Sequence, residues 1–206
     1  MIKHILFYNS IDTETVQELI DEMDLVLTSD LQIDGVVLHF SSNGGALCAL
    51  NILVDYLNTY SLPLEVKVCD AVMSAGFLFL LDLEDHISIT YDNTCFGMVH
   101  LSDSVLSSRE TRNREYYSSE TKFLQEKCIP RIDDEAMDKY IRCGLPKEYL
   151  ENIEHGKDIY IDKEDLERYV DNYKNSRAKD RCLKRIEELK DEIKELESAV
   201  EELNAL

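Results

Sequence analysis

Three short stretches of this chain carry residue types that can do chemistry together. Asn43-Gly44-Gly45 follows a β-branched run, Ser74 opens an apolar helix-like stretch, and His100 closes a strand-like one. Nucleophilic acyl transfer needs a hydroxyl, a base to take its proton, and a group to orient the base. It also needs N–H donors aimed at the developing oxyanion. A serine at a helix N-terminus stands where unpaired N–H groups and the helix dipole favour negative charge. Glycines after a strand let a second N–H come close, because no Cβ blocks the approach. Each feature alone has an ordinary explanation: a tight turn, an N-cap, a hydrogen-bonded structural histidine. Their order and spacing give the set its weight.

Other chemistries find less support. No Gly-x-x-x-x-Gly-Lys loop offers a phosphate cradle. His4, His39, His86 and His155 are too dispersed for a metal site, and the cysteines include no C-x-x-C pair. No metal and no cofactor is expected. Cys48 and Cys69 sit in apolar stretches and read as small buried hydrophobes in a reducing compartment. The chain has 206 residues, with 42 acidic against 22 basic side chains and a net charge of -20. That field repels phosphate backbones and anionic lipid, so neither nucleic acid nor membrane is an expected partner. No apolar run reaches the ~20 residues that span a bilayer. The first ten residues lack the pattern of a secretory signal, and a cytoplasmic address is expected.

The elements that must position these residues alternate. His4 to Tyr8 reads as a buried strand. Thr13 to Leu27 reads as a helix capped by Asp12, with Val16, Leu19, Ile20, Met23 and Leu27 at helical spacing. Strands are expected at 35–40, 64–68, 87–91 and 95–100, and helices at 46–60 and 73–83. Such alternation argues for an α/β fold with a largely parallel sheet. The polar stretch 103–125 suits a long exposed helix or a mobile arm. Short helices are expected at 133–143 and 147–153, then a strand at 157–162.

The C-terminus carries a heptad seam. Ile186, Ile193 and Val200 occupy a, and Leu189, Leu196 and Leu203 occupy d. β-branched a with Leu at d favours two-stranded parallel pairing. The flanking charges oppose it: in a parallel homodimer Arg185 would face Lys190, and Glu192 would face Glu197. An antiparallel or heterotypic partner therefore fits better than a parallel one. The alternative is a helix packed back on its own domain. A division follows into a domain over 1–172 and an amphipathic, coiled-coil helix over 173–206.

From Ile5 to His100, with a further segment near Asp158, the chain resembles the proteolytic subunit of the Clp protease. Ser42-Asn43-Gly44-Gly45 resembles that family's S-P-G-G turn. Met73-Ser74-Ala75-Gly76-Phe77 resembles its A-S-M-G-A segment, and Asn93 to His100 resembles its N-S-R-V-M-I-H strand. Lys157-Asp158-Ile159-Tyr160-Ile161 resembles its R-D-R-F-L segment. The resemblance implies a crotonase-like ββα superhelix and a serine endopeptidase working in a homo-oligomer on peptides or unfolded proteins. It implies Ser74 as nucleophile, His100 as base, and Asp158 as the group that holds the imidazole. The N–H groups of Gly45 and Ala75 would be the oxyanion donors, and Gly44, Leu47 and Leu101 would flank the substrate. The stretch 103–125 falls where the family has its handle helix. An unfoldase ATPase is left open as a partner.

Departures from the family pattern keep alternatives in view. Asn43 replaces the turn proline, and Asp70 replaces a glycine four residues before the nucleophile. The interval from His100 to Asp158 is longer than the family's, so Asp162 and Asp165 compete for the third position. A catalytically inactive scaffold assembled through its C-terminal coil is the competing function. An acyl-CoA enzyme ranks lower, since that chemistry needs oxyanion donors without an aligned Ser-His-Asp set.

Overall fold

The computed structural model describes residues 1–101 and 129–204. The expectation for 103–125 falls outside the described residues. In chain order the elements are β1 (Ile2–Tyr8), α1 (Thr13–Leu27), β2 (Gly35–Ser42), α2 (Leu47–Asn58), β3 (Leu64–Met73), α3 (Ala75–Asp82), β4 (Ser88–Tyr91) and β5 (Phe96–Val99). After the undescribed stretch come α4 (Ile129–Cys143), α5 (Lys147–Glu154), β6 (Ile159–Ile161) and α6 (Lys163–Asn204). The chain is mixed α/β, with one six-stranded sheet in the order β1-β2-β3-β5-β6. β4 pairs with the first half of β3, and β5 with its second half. All these pairings are parallel except β5 with β6, which is antiparallel.

Local chemistry explains the first helix. The Asp12 carboxylate accepts from the N–H groups of Glu14 and Thr15, and the Thr15 hydroxyl accepts from the Asp12 N–H. This reciprocal capping satisfies N–H groups that the helix leaves unpaired. The buried stripe runs through Val16, Leu19, Met23 and Val26. It ends one residue before Leu27, which is exposed. α2 buries the expected Leu50, Leu53, Val54 and Leu57. α3 is apolar all round and buried from Ala75 to Leu81, as a central helix must be. Stacked rings tie it to the sheet: Phe7 lies 5.4 Å from Phe40, and Phe40 lies 4.2 Å from Phe79.

The first turns of α6 close the domain, with Leu166, Tyr169, Val170 and Tyr173 buried. Arg177 donates to the carbonyls of Leu81 and Leu83 and pairs with Glu84 at 2.7 Å. A cation there answers the unpaired carbonyls at the end of α3. The helix continues unbroken through the expected boundary at 172/173. Cys95 and Cys143 are buried, whereas Cys48 is exposed rather than buried; it sits on the outer side of the first turn of α2. Among the described residues, no helix is long and apolar enough to cross a membrane.

Among the described residues, no helix covers the outer face of β1. Ile5 and Phe7 are buried while Leu6 and Tyr8 are exposed, the alternation of a one-sided strand. On this face His4 Nδ1 lies 2.9 Å from His39 Nε2, and His39 Nδ1 lies 3.5 Å from Cys69 Sγ. Burial, then the charges of His4 and Lys67, push the His39 pKa below its ordinary 6.5, against smaller opposing effects of Asp92 and Glu65. The unfolded chain therefore holds the His39 proton at pH values where the folded one has lost it. Stability rises with pH across that interval and falls as pH drops through it. His39→Gln is expected to flatten this part of the profile, read as a smaller drop in urea midpoint between pH 7.5 and 5.5.

Candidate active site

Strand register brings together the residues singled out in the sequence. β3 and β5 run parallel with Met73 opposite Met98. Ser74 and His100 thus leave adjacent strands at the same C-terminal end, where open α/β sheets place their ligands. β6 runs the other way with Ile159 opposite Val99, so Asp158, one residue before Ile159, arrives beside His100. β2 ends at this edge too, with Ser42 opposite Val72, and delivers Asn43-Gly44-Gly45.

The distances are short. Ser74 Oγ lies 2.7 Å from His100 Nε2. His100 Nδ1 lies 3.3 Å from Asp158 Oδ1, with the histidine side chain 17% and the aspartate 50% exposed. A carboxylate facing Nδ1 favours the tautomer that leaves Nε2 free to accept the serine proton. Such an arrangement can activate a hydroxyl as a nucleophile. The competing aspartates are engaged elsewhere. Asp162 caps α6, accepting from the Asp165 N–H at 2.9 Å. Asp165 pairs with Arg168 at 2.5 Å.

Ser74 has φ 54°, and it is the non-glycine residue with positive φ among those described. A residue so strained costs on the order of 1–3 kcal/mol and persists only where its surroundings enforce it. Here its N–H donates to the Met98 carbonyl at 2.8 Å, and its carbonyl accepts from Phe77 and Leu78. The sharp strand-to-helix turn lifts the side chain off the sheet edge toward His100.

The glycine turn fits against it. Gly44 has φ 95°, and a Cβ there would come within 2.7 Å of Ser74 Cβ and of the Met73 carbonyl. Gly45 has φ 151°, and a Cβ would stand 2.1 Å from the Ile11 carbonyl oxygen. Ile11 holds this turn by donating to Gly44 O at 2.8 Å and accepting from Ala46 N at 2.7 Å. Among the described residues, the N–H groups of Gly45 and Ala75 make no loop or cap hydrogen bond. Leu47 begins α2 beside this turn, and Leu101 directly follows His100; both are half-buried. Asp70 is exposed on β3.

Two supporting groups were not anticipated. The Ser42 hydroxyl, 3% exposed, accepts from the Gly44 N–H at 3.1 Å. A serine two residues before a glycine signals this kind of turn. The hydroxyl of the buried Tyr140 donates to the His100 carbonyl at 2.9 Å. Nothing local marks that residue, which reads as one more apolar position on α4. Among the described residues, no group of three His, Cys, Asp or Glu side chains is placed to hold a metal ion.

No family model matches the chain. No curated protein matches it in sequence. Among solved structures it is similar to a ClpP1 mutant from Listeria monocytogenes, with 19% identity and a TM-score of 0.51. The match covers 81% of this chain and 86% of that one. The fold is ClpP-like. At this identity the likeness bears on the fold alone, and the ClpP-like sheet is what sets Ser74 and His100 at one edge.

Gly44→Ala tests that edge. The added methyl meets Ser74 Cβ and forces a left-handed residue to carry a side chain. Stability should fall by about 1–3 kcal/mol in denaturant unfolding. Reactivity of Ser74 toward a fluorophosphonate should fall even where the variant is fully folded.

Proposed function

We propose that this chain is a serine-type endopeptidase of ClpP-like, crotonase-like ββα architecture that cleaves peptides or unfolded proteins within a homo-oligomeric assembly. The observation that carries the reading is the 2.7 Å contact between Ser74 Oγ, on its strained turn, and His100 Nε2. In the proposed reaction Ser74 Oγ bonds to the scissile carbonyl carbon while its proton passes to His100 Nε2. The carbonyl electrons move onto oxygen, and the resulting anion accepts hydrogen bonds from the N–H groups of Gly45 and Ala75. Asp158 holds the imidazole by Nδ1 and stabilises its charged form. The anion then collapses, the C–N bond breaks, and His100 returns its proton to the leaving amine. Water attacks the acyl group by the same steps in reverse, with His100 as base, releasing the acid and restoring Ser74.

Substrate binds extended along the edge formed by Gly44, Leu47 and Leu101, adding as a strand. Neither cofactor nor metal takes part. The site is cytoplasmic, and an unfoldase ATPase is left open as a partner. The close Ser–His contact favours this reading over a non-cutting scaffold.

A fluorophosphonate is expected to label Ser74, with label and peptide cleavage both lost in Ser74→Ala. His100→Ala should lower kcat/KM by at least about 10³-fold. Asp158→Asn should lower it by at least about tenfold, while Asp162→Asn leaves it near the parent value. Labelling that persists in Ser74→Ala would remove the nucleophile from this account.

A further inference from the structure

The distal half of α6 leaves the domain with its apolar seam uncovered by any described residue. Arg181 pairs with Asp85 and reaches Glu84; beyond it every α6 residue whose burial is described is exposed. Ile186, Leu189, Ile193, Leu196 and Val200 are 40 to 67% exposed. Ile193, Leu196 and Val200 line one shallow groove with Glu197 at its rim. A stripe of that width, repeating at a and d, is too narrow for the face of a globular domain and suits a single partner helix.

We propose that this segment pairs with the same segment of a second copy of the chain, as an antiparallel two-stranded coil that sets Ile193 against the partner's Leu196. In this register Leu189 meets the partner's Val200, and each layer joins a β-branched residue to a leucine.

The flanking charges select the orientation. In an antiparallel pair, e positions meet e positions and g positions meet g positions. Lys190 then faces the partner's Glu197, and by symmetry Glu197 faces the partner's Lys190. Glu192 meets no like charge, and within its own helix it is held by Arg185 at 3.3 Å. A parallel pair instead sets Arg185 against the partner's Lys190 and Glu192 against the partner's Glu197, both repulsive. Shifting the antiparallel register by one heptad either way sets Glu197 against the partner's Glu197, or Lys190 against the partner's Lys190. Among these arrangements only the proposed one satisfies both charges.

The docked first turns of α6 also help. Isolated helices of this length are marginal because nucleation is costly. Here nucleation is already met, since residues 163–177 are held on the domain. The proposal stands independently of the peptidase reading, because none of its residues belongs to the site.

Charge reversal in the full-length protein tests it, with association measured by sedimentation equilibrium. Lys190→Glu and Glu197→Lys should each weaken self-association by about tenfold. The double variant should return it to near the parent value. Mixed heavy- and light-isotope protein treated with a zero-length carbodiimide should give a heavy–light link from Lys190 to Glu197. Within one helix those residues are about 10 Å apart along the axis, so the link reports two copies. Single reversals that strengthen association would establish the parallel pair and overturn the proposal. A double variant no better than the singles overturns the register. Association unchanged in all variants, with no heavy–light link, means that another partner or none covers the seam, and it overturns the proposal as well.

Discussion

One backbone hydrogen bond fixes the geometry of the whole edge: the Ser74 N–H on the Met98 carbonyl at 2.8 Å. It is the last rung of the β3–β5 ladder, made by a residue that is already turning into a helix. Because it forms, the side chain that follows β3 and the side chain that follows β5 emerge side by side. The turn is strained, at a cost on the order of 1–3 kcal/mol. Burial of Phe77 and Phe79 at 0% exposure contributes about 1.5–3 kcal/mol for each ring. The apolar helix therefore offsets the backbone that precedes it.

The third side chain is held differently. Asp158 precedes a three-residue strand and is half exposed, so its contact with His100 contributes little to stability in high dielectric. In the proposed reaction its part is to fix which nitrogen of His100 bears the proton. Firmness comes from behind the histidine, where the buried Tyr140 hydroxyl holds the His100 carbonyl and its ring lies 6.0 Å from Phe77. The helix that follows Ser74 and the tyrosine that anchors His100 thus share one piece of core.

Much of this was legible in the residues, for reasons that differ by element. The pattern places α1 at its observed limits, Thr13–Leu27, because its cap and its periodicity are both local. The residue pattern ends β3 at Val68, yet the strand runs to Met73. Phe40 pairs with Val68 and Ser42 with Val72, so β3 spends extra residues in a bulge. There Asp70 is exposed while Ala71 and Val72 are both buried, and the period-2 pattern fails. The helix expected from Met73 starts at Ala75, because positive φ at Ser74 interrupts it. Which aspartate lies beside His100 is set by the antiparallel pairing of β6 with β5, a contact between segments far apart in the chain that no local pattern encodes. Tyr140 was invisible for the same reason: its hydroxyl matters through a tertiary contact.

α6 links the two ends of the molecule. Gly97 on β5 leaves room for Leu166, whose Cδ1 would stand 3.2 Å from a Cβ at that position. Three residues further along the chain, just past the end of β5, stands His100. The proximal turns of α6 therefore press on the strand that carries the imidazole, and Arg177 holds the far end of the helix that begins after Ser74. The same helix then runs on as an exposed apolar seam, about 63 Å from end to end for its 42 residues. A chain that needed α6 only to cover the sheet could stop near Arg181, the last α6 side chain paired with the domain among the described residues. Among the described residues the heptads beyond it bury nothing on their own domain, and the proposed pairing with a second copy is a use that their regular spacing would serve.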